Sequence, residues 1–197
     1  MKFNLPKIKE VGIAVDIDET LSWSVYYWVE GLRELFGNPE NLSVEELIKK
    51  YRYTQNVPYW QSAEAQQWIE EKINCNATQR ELPLIKDANN ILRKITEIVP
   101  VAAYITARPE AVLAGTTDWL SAHDFPTAPV ICRPTNIPSD QRDQWKAAVL
   151  EETHPAIKGI IDDNSDLLKH IGSDYEGFIF LYDSEPVDSN LKVISCK

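Results

Sequence analysis

Asp16, Asp18 and Glu19 follow directly on the apolar run VGIAV at 11–15, and Thr20 adds a hydroxyl beside them. Carboxylates this close repel one another, and covering them costs solvation. A strand end that carries them needs a cation, a loop in water, or a chemical role. Asp16 and Asp18 stand two residues apart, the spacing that turns side chains of an extended segment toward the same side. A second acidic pair, Asp162-Asp163, follows the apolar run IKGII at 157–161. Thr106 comes just after VPVAAYI (99–105), with Arg108 and Pro109 next to it, and Lys146 lies in the stretch 139–153. Apart from Asp162, each has a plain structural explanation when taken alone. Aspartates open turns and helices, Thr106 can cap a helix, and Asp163 or Asn164 can cap the stretch NSDLLKHI. A lone helical lysine is usually solvated. Taken together, they offer carboxylates that call for a hard cation and donors suited to an anion. Phosphoryl transfer needs that combination, and such a donor set selects Mg²⁺ over softer metals.

These residues must be positioned by the elements around them. Short, near-continuous apolar runs recur at 11–15, 99–105, 128–132, 157–161 and 177–182, as expected for strands covered on both faces. The stretches 85–98, 109–123, 139–153 and 164–171 between them read as amphipathic helices. This alternation predicts an α/β fold, a doubly wound, Rossmann-like parallel sheet whose ligands sit at the carboxyl ends of the strands. One segment breaks the rhythm, since 21–84 holds no convincing strand. Leu21, Val25, Trp28, Leu32 and Leu35 form one helical stripe, Ser43 and Glu46 a capping box, and Ser62 the N-cap of a third helix running to about Ile73. The expected organisation is a core made of 1–20 and 85–197, with a small helical cap, 21–84, inserted after the first strand on the ligand side.

Composition narrows the partners. A chain of 197 residues suffices for one domain with an inserted subdomain, and a net charge of −10 argues against a nucleic-acid polymer or an anionic membrane surface. Cys75, Cys132 and Cys196 have neither disulfide-framework nor zinc spacing, and no apolar run is long enough for a membrane span. The N-terminus also lacks the apolar core of a signal peptide, so a cytoplasmic location is expected. The sequence leaves the oligomeric state open.

Asp16-Ile-Asp18-Glu-Thr20, Thr106 after a strand, Lys146, and Asp162-Asp163, in this order, resemble the haloacid dehalogenase (HAD) superfamily, specifically its C1-capped phosphatase branch. The resemblance implies that Asp16 is the nucleophile and forms an aspartyl-phosphate, while Asp18 is the general acid and base. It implies Mg²⁺ held by Asp16, the Asp18 main-chain carbonyl and Asp162. Asp163 would bind through water or orient the site, with Asp166 as another candidate, and Thr106 and Lys146 would hold the phosphoryl oxygens. A carboxyl at Asp18 points to a phosphatase or phosphomutase rather than a dehalogenase. Glu19 departs from the pattern, since many members carry Gly there. The cap and the Asp162-Asp163 ending also resemble pyrimidine 5′-nucleotidases of the superfamily.

The implied activity is a Mg²⁺-dependent phosphomonoesterase acting on a small phosphorylated metabolite, with a nucleotide as one candidate. A phosphomutase and a non-catalytic phosphate-ligand-binding protein are the alternatives. Thr20, Trp23, Tyr27 and Arg108 are candidate substrate contacts. Trp23, Tyr26 and Tyr27 fall off the apolar stripe, and Tyr53, Tyr59 and Trp60 crowd the loop 52–61. These aromatics either stack on a planar substrate group or make the core of a small cap.

Overall fold

A computed structural model describes residue 3 and residues 5–196. Six parallel strands form one sheet: β1 (Gly12–Val15), β2 (Val101–Pro109), β3 (Val130–Arg133), β4 (Ile157–Asp162), β5 (Phe178–Tyr182) and β6 (Lys192–Cys196), in the order β3-β2-β1-β4-β5-β6. The order reverses direction at β1, so the ends of β1, β2 and β4 meet where a doubly wound sheet opens a crevice. Each side chain along β1 is buried, as continuous apolar runs in a twice-covered strand require.

On one face, Trp145, Val149 and Leu150 of α7 (Arg142–Thr153) pack with Ala14, Ile105, Ile160 and Leu181. On the other, α5 (Ala88–Thr96) and α6 (Leu113–Ala122) supply Leu92, Trp119 and Leu120 against Val15 and Tyr104. The Rossmann-like α/β reading therefore holds.

Four differences from the sequence expectation have physical causes. β2 runs on through Pro109, so Thr106 lies inside the strand, and α6 begins only at Leu113 after a 3₁₀ turn over Glu110–Val112. Pro109 can sit there because the ladder is irregular between Thr106 and Pro109. The stretch expected as an amphipathic helix at 164–171 is a 3₁₀ helix over Ser165–Lys169. β6 was not expected. As a short edge strand with alternating exposure, broken by Lys192 and Ser195, it leaves a weak signal.

Finally, the first helix of the inserted segment, α1 (Ser24–Phe36), starts after Leu21 and buries Val29 and Leu32, with Val25 and Phe36 packed beside them. Leu35 is exposed and Trp28 turns elsewhere.

The segment 21–84 is all helical apart from isolated bridges: α1, α2 (Val44–Tyr51), α3 (Ala63–Ile73) and α4 (Asn76–Glu81), with 3₁₀ turns at 54–56 and 58–60. The capping box of Ser43 and Glu46 forms, and Ser62 caps α3. Val29, Leu32, Leu47, Val57 and Trp60 give this segment its own core. α4 is seated on the sheet-bearing part: Asn76 Oδ1 accepts from the Gly115 N–H at 2.6 Å, and Arg80 pairs with Asp118 at 2.8 Å. The two ends of the segment lie side by side, tied by the Trp23 N–H to the Pro83 carbonyl (2.8 Å) and the Ile85 N–H to the Leu21 carbonyl (2.9 Å). Among the described residues no helix is long and apolar enough to cross a membrane, and all three cysteines are free.

Candidate active site

The backbone brings the two acidic motifs together before any side chain is considered. β1 lies between β2 and β4, Val15 is in register with Ile161, and the Asp16 N–H donates to the Ile161 carbonyl at 2.9 Å. Asp16 and Asp162 thus emerge from neighbouring strand ends. Lys146, in the helix before β4, reaches up between them. Its Nζ donates to Asp16 Oδ1 at 2.7 Å and to Asp162 Oδ2 at 2.8 Å, with all three side chains buried. Burial opposes the charge on Lys146, but the two carboxylates outweigh it and hold its pKa above the ordinary lysine range.

Asp16, Asp162 and Asp163 each offer a carboxylate oxygen within 4.8 Å of the others. Burial is the main force raising Asp16 to about 7, against the pull of Lys146 and with the help of Asp162 and Asp18. Burial likewise raises Asp163 to about 8, aided by Asp16 and Asp162. One lysine is not enough positive charge for three such groups. A purely oxygen donor set with surplus negative charge fits a hard divalent cation. Asp166 stands outside the cluster, exposed and paired with Lys169 at 2.7 Å.

Asp18 points to a different partner. Arg108 clasps its carboxylate through Nε (3.1 and 3.0 Å) and Nη2 (2.7 Å), and Arg108 itself is only 5% exposed. The guanidinium also lies 5.7 Å from the Trp119 ring centre. A fork of this kind fixes orientation as well as charge. Thr106 is wholly buried, and its Oγ1 accepts from the Arg108 N–H at 3.2 Å.

Glu19 adopts φ 59°, the left-handed region that favours glycine. Its side chain compensates: Oε1 accepts from Ser24 Oγ and from the Val25 N–H, both at 2.7 Å, and so caps the start of α1. Burial raises this carboxyl to about 7.

A cavity of about 480 Å³ opens over these groups, between the strand ends and the helical insert. Asp16, Asp18, Arg108, Lys146, Asp162 and Asp163 line its floor. Trp28, Tyr53, Gln66 and Ile69 line it from the insert. Trp28 is held edge-on by Tyr27 with ring centres 5.1 Å apart.

The structure thus gathers Asp16, Asp18, Arg108, Lys146, Asp162 and Asp163 around one space, whereas Thr106, expected to hold phosphoryl oxygens, is wholly buried and does not line it. Three expected substrate contacts lie elsewhere. Thr20 is buried against a separate apolar cavity. Trp23 packs on Tyr26, and Tyr27 buttresses Trp28 instead of facing the space itself. The tight turn after Asp18, with Leu21 and Ser22 N–H groups both bonded to the Ile17 carbonyl, directs Thr20 away. Trp60, expected among possible stacking groups, is a core residue whose Nε1 donates to the Gly37 carbonyl at 2.9 Å.

Sequence reasoning placed Trp28 on the apolar stripe and did not single out Arg133 or Arg142, which also line the cavity. The position of Arg133 at the end of the third strand was the available signal for it.

No family model matches the chain, and no curated protein does. Among solved structures, the chain is similar to a HAD-superfamily hydrolase from Ehrlichia chaffeensis, with TM-score 0.49 and 14% identity, covering 98% of this chain and 93% of that one. It is also similar to cytosolic 5′-nucleotidase IIIB bound to cytidine, with TM-score 0.41 and 14% identity, covering 87% of this chain and 73% of that one.

Proposed function

We propose that this protein is a HAD-type phosphomonoesterase of the C1-capped kind, with 21–84 as its cap, acting on a small phosphorylated metabolite. The observation that carries the reading is the Lys146 ammonium joined to Asp16 at 2.7 Å and to Asp162 at 2.8 Å on the floor of a covered cavity. This arrangement keeps one carboxylate oriented and charge-balanced beside space for a phosphoryl group. Asp16, Asp162 and Asp163, with the Asp18 main-chain carbonyl, are the groups that would hold Mg²⁺. When bound, the ion supplies neutralisation of the phosphoryl charge.

In the first step an Asp16 oxygen attacks phosphorus, the bond to the ester oxygen breaks, and Asp18, entering the step as the carboxylic acid with Arg108 orienting it, delivers its proton to that leaving oxygen. In the second, Asp18 takes a proton from water, the water oxygen attacks phosphorus, and the bond to Asp16 breaks to release phosphate. Lys146 donates to Asp16 and to phosphoryl oxygens throughout. Thr106 supports the phosphate side of the site through the Arg108 main chain. Trp28 and Tyr53, both facing the cavity from the cap, support a nucleotide as one candidate substrate.

The test is hydrolysis of p-nitrophenyl phosphate with and without Mg²⁺. Turnover should need the metal, disappear on chelation, and vanish in Asp16→Asn while circular dichroism stays unchanged. Undiminished turnover in Asp16→Asn or in chelator would overturn the assignment. Release of free phosphate, rather than an isomerised sugar phosphate, separates this reading from a phosphomutase.

A further inference from the structure

The cavity's positive charges are not all committed. Lys146 is balanced by Asp16 and Asp162, and Arg108 by Asp18. Two further guanidiniums line the same space. Arg133 ends β3, where its Nε donates to the Ala107 carbonyl at 3.2 Å and its Nη1 to the Ile137 carbonyl. Both partners are neutral carbonyls, and among the described residues Arg133 forms no ion pair.

Arg142 opens α7 and is about half exposed. Its Nε stands 3.5 Å from Asp143 Oδ1, but that oxygen already accepts from Asn164 Nδ2 at 3.0 Å. The two arginines are close enough to repel: the charge on Arg142, after burial, pulls Arg133 below the ordinary arginine range. Ser139, with its hydroxyl, lines the cavity beside them. Two like charges share one rim of a cavity with spare N–H donors: Arg142 has Asp143 at 3.5 Å and Asp166 within electrostatic reach, while among the described residues Arg133 has no carboxylate partner. Such a rim has the chemistry of an anion site.

We infer that Arg133 and Arg142 form a second anion subsite, so that the substrate is a compact phosphomonoester carrying another negative group, a carboxylate or a second phosphate. This rests on the phosphomonoesterase reading and narrows it. β3 lies two strand spacings from β1, roughly 10 Å, and the arginines reach inward from there. The second charge therefore sits within a few bonds of the transferred phosphoryl group. An uncharged sugar or base would leave Arg133 without a counter-charge.

Binding on the turnover-deficient Asp16→Asn chain, measured by calorimetry with Mg²⁺ present, separates this inference from the activity itself. The probes are glycerol 3-phosphate, 3-phosphoglycerate and 1,3-propanediol bisphosphate. At least one bis-anionic probe should bind about tenfold or more tightly than glycerol 3-phosphate, the scale of one charge-assisted hydrogen-bond pair. The tighter of the two names the second group. Adding Arg133→Gln or Arg142→Gln should bring the ratio toward one. Equal affinities in the Asp16→Asn chain, or a preference that survives both arginine substitutions, would overturn the subsite. Hydrolysis of these esters by the unmodified chain is read separately. Turnover with equal affinities removes the subsite and keeps the phosphatase; discrimination without turnover does the reverse.

Discussion

Asp16 and Asp163 show how the proposed cation site would be written into proton affinity. In the folded chain they hold protons up to about 7 and about 8, chiefly because burial disfavours the carboxylate. Unfolded, they titrate near the usual aspartate value of about 4. Between those limits the folded chain binds more protons, so stability falls as pH rises. The loss is up to about 1.4 kcal/mol per pH unit for each group that stays protonated. Thermal unfolding in chelator should therefore shift to lower temperature from pH 5 to pH 8. Mg²⁺ should reverse the shift most strongly at pH 8, because ligand oxygens must be deprotonated. A midpoint that climbs with pH in chelator would contradict the assignment.

Arg108 makes a second prediction at this scale. Lysine cannot reproduce its bidentate hold on Asp18. Arg108→Lys should lower kcat by about tenfold or more, with a smaller change in KM, because a misaligned acid affects bond breaking more than binding. An unaltered kcat would remove Arg108 from the positioning of Asp18. Asp16 and Asp162 were legible in the sequence because each stands at or beside a strand end, whereas Lys146, inside a helix, was legible only through the order of the motifs around it. Arg108 was legible only as a candidate substrate contact. Its true partner, Asp18, is 90 positions away, and nothing in local spacing reports such a pairing.

At the scale of elements, the parallel strands announced themselves as apolar runs, whereas the insert's inner face did not. Val25, Val29, Leu32 and Phe36 fit a helical stripe as well as the expected set with Trp28 and Leu35. Two stripes overlap on one helix, and only packing against Leu47 and Trp60 selects between them. That choice frees Trp28 to face the cavity. The short α4 gave no periodic signal at all, being held by contact with α6. Gly115 makes that contact possible, since a Cβ there would meet the Asn76 carbonyl oxygen at 2.3 Å. Gly115→Val should cost about 1–3 kcal/mol by overpacking, read as a lowered unfolding midpoint. A wild-type midpoint would mean that α4 gives way freely.

For the molecule as a whole, the insert carries its own core, while the sheet-bearing part has one on each face. The two parts should then separate in function. Replacing residues 24–73 with a Gly/Ser linker of about ten residues, which spans roughly 17 Å, leaves α4 on its seat. The shortened protein should still unfold cooperatively, yet discriminate less among phosphoesters, because Trp28, Tyr53 and Gln66 are gone. Loss of a cooperative transition would mean that the insert is needed for folding.

The lacing of Trp23 to Pro83 and of Leu21 to Ile85 also matters for how such a chain can change over time. A detour that leaves and rejoins the scaffold at one point imposes no register on the strands to either side. Insertions and deletions within it need not disturb the strand ends that carry Asp16 and Asp162. The stalk is in effect a graft point, where a new helical segment can be fitted to an unchanged sheet.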